Sequence, residues 1–184
     1  MLNHLKKIPL FLRVWVLVAI ISTIFCALAY TLAQQVLRMG ANDPQIQLAE
    51  DVTTALNNGK PVDFSNNTID IANSLSPFAI IFNDSGTPIN GSAKLNGKTP
   101  VPPSGVLDFV RMHKEDRLTW QPQSGVRIAS VVTRYTAGTN SGFVLVGRNM
   151  REVEARESRT LFLAGIAWLA SLVVALSVCF LFFS

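Results

Sequence analysis

Two runs without a charged side chain, residues 14–33 and 160–184, bracket a polar stretch in this chain. Each reaches the ~20 apolar residues that a helix needs to cross a hydrocarbon layer ~30 Å thick. Between them the spacing of apolar positions becomes that of a water-facing domain. The pattern predicts a short tail at residues 1–13, spans at 14–37 and 160–184, and one domain over 38–159.

Inside the domain, Gly40-Ala41-Asn42-Asp43-Pro44 predicts a break after the first span. Asp43 is the expected N-cap, and Pro44 the first residue of a new helix. That helix would present Leu48, Val52, Ala55 and Leu56 inward and end at Asn57-Asn58-Gly59. A less regular stretch follows, with Ile69, Ile71 and Leu75 apolar. Residues 78–82 form a compact apolar strand closed by Asn83-Asp84-Ser85-Gly86, and residues 87–93 return as its partner. Residues 96–103 read as loop, and Ser104 as the cap of a helix turning Val106, Phe109 and Val110 inward. Three further strands, at 118–121, 126–135 and 142–146, are separated by turns containing Pro122, Gly125 and Gly138. The order predicts an α+β fold: an antiparallel five-stranded sheet with helices on one side, flanked by two transmembrane helices.

The last helix carries the strongest local signals. Asn149 and Glu152 have the spacing of an N-cap and its capping partner, and Arg148–Glu152 and Glu152–Arg156 are spaced as i,i+4 pairs. No Gly or Pro interrupts residues 150–164, and Val146, Met150, Val153, Leu161 and Ala164 approximate a heptad. Asn149, Glu152 and Arg156 are therefore expected to begin a helix that continues into the second span and can transmit a displacement.

Small residues mark one face of each span: Ala19, Ser22, Cys26, Ala29 and Ala33 in the first, Ala167, Ser171 and Ala175 in the second. Lipid solvates leucine well, so helices associate where small side chains let backbones approach. These eight residues are the expected membrane helix interface, either between the spans or with a second copy. Neither apolar run contains an ionisable group of the kind that marks an ion or proton path. Cys26 and Cys179, the two cysteines, differ in expected depth by roughly 15 Å, too far apart for a disulfide.

Charge sets the orientation. The chain carries 16 Lys and Arg against 12 Asp and Glu, a formal +4. Within 38–159, thirteen basic residues face all twelve acidic ones, leaving +1; Lys6, Lys7 and Arg13 supply the remainder ahead of the first span. Basic flanks stay cytoplasmic while a long domain crosses. Both termini are thus expected inside the cell membrane and the domain outside it. A pI near 9.4 is then a topology signal, and without a basic stripe interleaved with aromatics a nucleic-acid partner is not expected.

Catalytic chemistry has no motif here: no Ser/His/Asp set, no metal-ligand spacing, no phosphate loop. No enzyme activity, metal or cofactor is expected. His113 lacks an obvious partner and reads as a rim residue. If the domain binds a small polar ligand, Arg127 and Arg134 are the candidate donors and Trp120 the apolar wall. Asn66, Asn83 and Asn90 begin matches to the N-glycosylation acceptor pattern.

With these segments in place, the chain resembles the input half of bacterial sensor histidine kinases. The likeness lies in Leu12-Arg13-Val14-Trp15, in the stretch from Phe78 to the turn at Gly86, and most in Gly142-Phe143-Val144-Leu145-Val146-Gly147-Arg148-Asn149-Met150-Arg151-Glu152 and onward to Arg156. It implies a PAS-like (PDC or Cache) sensor fold outside the membrane, in a two-component system. That family continues past the second span into a HAMP linker, a phosphoacceptor helix and an ATP-binding domain, none of which lies within these 184 residues. His4 and His113 are the only histidines, and neither sits in a dimerisation-helix context. Kinase activity is not carried over. The expectation is a membrane-anchored sensor or partner-binding module working as a homodimer or beside a signalling partner; the alternatives are an accessory subunit of a membrane complex and a kinase fragment.

Overall fold

The computed structural model describes residues 9–64 and 67–183, the side chains at 38, 41–43 and 183 apart. Lys6, Lys7, His4, Asn66 and the capping side chain of Asp43 lie outside the described residues. Two compact units emerge: one comprises the segments up to Arg38 and from Ala155, the other Met39–Glu154.

Three helices are described: α1 (Leu10–Asn57), α2 (Val106–His113) and α3 (Arg151–Phe183). Strands β1 (Ile69–Asp70), β2 (Phe78–Asn83), β3 (Pro88–Gly91), β4 (Ala93–Lys94), β5 (Glu115–Gln123), β6 (Val126–Ala137) and β7 (Asn140–Asn149) complete the order. Leu10–Leu37 and Arg151–Phe182 are long and apolar enough to cross a membrane, with mean hydropathy of 2.3 and 2.4. The chain is thus α+β, with two long apolar helices flanking a sheet domain in sequence, which is consistent with a membrane protein.

The expected break at Gly40–Pro44 does not occur. α1 remains helical through both residues, although an interior proline costs about 3 kcal/mol through its missing donor and its clash with the carbonyl four residues back. Here that carbonyl belongs to Gly40. Packing of the following turns on the sheet offsets the cost.

The sheet of the Met39–Glu154 unit has the order β3-β2-β7-β6-β5, antiparallel throughout. Its faces follow the period of two. Ala79, Ile81, Val131, Tyr135, Val144 and Val146 face Ala49 and Val52 of α1. Phe78, Ile80, Phe82, Ile128, Val132, Phe143 and Leu145 point the other way, toward Ile69, Ile71, Ala93 and Val110. Both faces are therefore covered, one by α1 and the other by α2 with the small parallel pair β1–β4, in place of the single covered side expected. Double burial is why the central strands read as unbroken apolar runs such as Phe78–Phe82 rather than as alternation.

Other elements also depart from expectation. The return strand stops at Gly91 and Ser92 turns it away: its amide bonds Ala79 O at 2.9 Å, its hydroxyl accepts from Ala79 N at 3.1 Å, and Ala93–Lys94 then pair with β1 instead. Ser104 caps nothing. Gly105, at φ 90°, occupies the N-cap of α2 without a side-chain bond, and Phe109 is 43% exposed while Val110 is fully buried. Strands β5 and β7 outrun their apolar cores at both ends and β6 at its C-terminal end, because ladder bonding continues through the residues beyond them.

Candidate functional site

Trp120, Arg127 and Arg134 do not converge. Trp120 pairs with Ile128 across β5 and β6, so it shares a face with Ser130, Val132 and Arg134. Arg127 has the opposite parity and lies on the α1 face. Arg134 shares Trp120's face but lies six positions beyond Ile128, roughly 20 Å along the strand. Both arginines are already occupied. Arg127 pairs with Glu154 at 3.2 Å; Arg134 reaches Asp84 at 3.3 Å and the Arg111 carbonyl at 3.3 Å. Asp84 also accepts from Ser141, and its carbonyl from Arg111. This cluster ties the β2–β3 turn to α2 and β6.

Trp120 forms the floor of an open groove of about 510 Å³. Its indole Nε1 donates to Ser130 Oγ at 2.9 Å, and it is 7% exposed. Leu95, Pro100, Val101 and Pro122 supply the walls, with Asn96, Lys98 and Gln123 at the rim. One wall is a tight turn: Leu95 bridges Lys98, and Asn96 and Gly97 take left-handed φ of 51° and 78°. Asn-Gly is the residue pair such a turn favours, a signal that could have located it within the expected loop.

A second arrangement surrounds the start of α3. Asn149 is buried at the end of β7, on the face opposite α1. Its Nδ2 donates to Ile71 O at 2.8 Å, and its Oδ1 accepts from Arg151 N at 2.8 Å. Arg148 Nε donates to Leu75 O at 2.9 Å, and a second nitrogen reaches Glu152 at 3.0 Å, the expected i,i+4 pair. Arg151 reaches Asn73 O at 3.0 Å. Met150 N donates to Arg127 O at 2.8 Å, and its carbonyl accepts the first helical bond, from Glu154 N at 2.9 Å. Met150 is therefore the N-cap position, one residue later than expected, while Asn149 caps from outside. Val146 and Met150 precede the helix and cannot extend its heptad.

The 71–75 loop is itself organised by Asp70. The Asn73 side chain and the Ala72 amide donate to its carboxylate at 2.7 and 3.0 Å, and they hold its pKa below the ordinary value of 3.8, Asn73 contributing most. Nothing in the sequence ties residues 71–75 to 148–151, since more than seventy residues separate them.

In the other unit, the apolar segments of α1 and α3 run antiparallel. Phe11 meets Phe180 edge-to-face at 5.7 Å. Trp15 Nε1 donates to Leu172 O at 3.0 Å and Trp168 Nε1 to Thr23 Oγ1 at 2.9 Å. Of the small residues, Ala19, Ser22, Cys26, Ala33, Ser171 and Ala175 are half-buried, whereas Ala29 and Ala167 are exposed. The indole bonds joining the helices had no counterpart in the small-residue pattern. Cys26 and Cys179 are both free thiols.

No family model, curated protein or solved structure matches this chain. The geometry alone bears on function. Among the described residues no group of His, Cys, Asp and Glu could hold a metal ion. His113 Nδ1 lies 3.0 Å from Phe109 O in its own helix, its ring stacked on Phe109 at 4.1 Å.

Proposed function

We propose that this chain is a membrane-anchored extracytoplasmic sensor module, similar to the input region of a two-component sensor kinase. Its domain binds a ligand or partner and signals through α3. The observation that carries the reading is the joint at residues 148–151. A single residue separates the last strand from α3, and side chains at the joint are hydrogen-bonded to the 71–75 loop. A change on the sheet therefore bears directly on the first turn of the helix that contains the second apolar run. The five antiparallel strands with covering helices are the architecture that the PAS-like resemblance implies. Lys6, Lys7 and Arg13 support placing the domain outside the cell.

The test uses the full chain in lipid nanodiscs, labelled with 5-fluorotryptophan and screened against polar metabolites. A ligand at a hundredfold excess over its Kd adds about 2.7 kcal/mol, a rise in Tm of several degrees. The same ligand should move the 19F resonance of Trp168, and Asn149→Ala should keep the Tm rise while losing that response. A flat screen with co-purifying subunits would favour the accessory role instead. Protease that spares residues 39–154 on spheroplasts but cleaves them in inverted vesicles would refute the orientation.

A further inference from the structure

We propose that the Trp120 groove binds a small ligand made of an apolar body and one anionic group. The proposal rests on the sensor reading and names the ligand-binding site within it.

Three features make the groove a built site. Its volume, about 510 Å³, falls within the ~300–1,000 Å³ of small-molecule pockets. Its walls are preorganised: Pro100 and Pro122 have fixed φ, and the 95–98 turn is pinned to the end of β5 by Asn96 Nδ2 donating to Gln123 Oε1 at 2.6 Å. The floor is fixed as well, because Ser130 holds the Trp120 indole from behind. A site ordered before binding loses little entropy when filled.

Charge selects the ligand. No carboxylate lines the groove. Every arginine of residues 39–154 donates to a protein oxygen: Arg111, Arg117, Arg127 and Arg134, then Arg148 and Arg151. Lys94 is bonded to Thr99. The Lys98 ammonium, at the rim, has no ion pair or hydrogen bond among the described residues, its main chain alone being bonded, to Leu95. It is therefore a cation open to an incoming anion, and Gln123, accepting through Oε1, keeps its amide hydrogens for a second oxygen. A cationic ligand would meet Lys98 and find little open aromatic face on Trp120. The apolar walls of Leu95, Pro100, Val101 and Pro122 suit an apolar body laid along the groove.

The probe is trans-cinnamate, followed by 19F NMR on the full chain in nanodiscs labelled with 5-fluorotryptophan, with the Trp120 line assigned from Trp120→Phe. Cinnamate should move the Trp120 resonance saturably. Cinnamamide, with the same body and no charge, and acetate, with the charge and no body, should each bind at least fivefold more weakly. Lys98→Ala should weaken cinnamate about fivefold or more and Lys98→Arg should restore it within about twofold. Lys98 is exposed, so neither variant threatens folding. Equal response to cinnamamide, indifference to Lys98→Ala, or shifts confined to Trp15 and Trp168 would overturn the proposal. If a different ligand raises Tm without moving Trp120, the groove assignment fails while the sensor reading stands.

Discussion

The two faces of the sheet are closed in different ways. One lies under a single regular element, the C-terminal turns of α1, whose Ala49 and Val52 sit on the strands while Thr53 Oγ1 meets Thr133 Oγ1 at 2.6 Å. The other is closed piecewise by α2, the β1–β4 pair and the loops beside them. A helix seals a face along its length because its side chains repeat at regular intervals. Short segments leave gaps, and the gap beside Trp120 is the groove. The sealed face supplies rigidity, and the pieced face supplies a site and the 71–75 contacts to α3.

The sharpest test of this difference comes from two glycines of β7 that face opposite ways. A Cβ at Gly142, on the α1 side, would stand 2.1 Å from the Phe82 carbonyl and 2.8 Å from the Tyr135 ring. Main chain cannot rotate aside, so β2 and β7 must separate. Gly142→Ala should cost about 3 kcal/mol, read as a fall in urea midpoint with unchanged slope. At Gly147, on the pieced face, the clashes are with side chains: Phe78 Cζ at 2.6 Å, Ser130 Oγ at 2.9 Å and Ile128 Cγ2 at 3.0 Å. These can adjust, and Gly147→Ala should cost about 1–2 kcal/mol. Equal losses would erase the distinction between the faces.

Ser130→Ala should cost about 1 kcal/mol, since it leaves the buried Trp120 N–H without its acceptor. It should also move the Trp120 19F line while leaving Trp15 and Trp168 in place. A silent Trp120 line would mean that Ser130 does not set the floor. The smallest effect belongs to Asp70 on the same face. Its carboxyl is held below its ordinary value, so it stabilises the fold when ionised, and that contribution disappears as pH falls through the lowered value. In Asp70→Asn the drop in Tm between about pH 5 and about pH 3 should be smaller than in the parent chain. An identical drop would show that the 71–75 turn does not depend on the charge.

Several features were legible because they are local. The two apolar runs stand out by length alone, and the turn at Asn83–Gly86 closes β2 where expected. Arg148 and Glu152 pair because four residues bring side chains together on one helix face. Pro44 misled because its penalty is local while the packing that overrides it is not. Ser104 misled for the opposite reason: a serine ahead of a helix is a good cap only if the chain enters with suitable dihedrals, and here Gly105 takes that position in the left-handed region. Arg127 and Arg134 were sound candidates by residue type, yet the count of positions along β6 sends them to opposite faces and gives each an acidic partner.

What the sequence by itself determined was part of the inventory, neither the unbroken α1 nor the β1–β4 pair but the two apolar helices, the five strands of the main sheet and an α+β composition. These follow from periodicity and from the turn preferences of Gly, Pro, Asn and Asp, which act over a few residues. The tertiary structure alone decided what lies against what: that both sheet faces are covered, that residues 71–75 bond to the start of α3, and that Lys98 stands beside Trp120. Such contacts join residues tens of positions apart. Their energies arise only when burial and hydrogen bonding are satisfied together, so no local pattern records them.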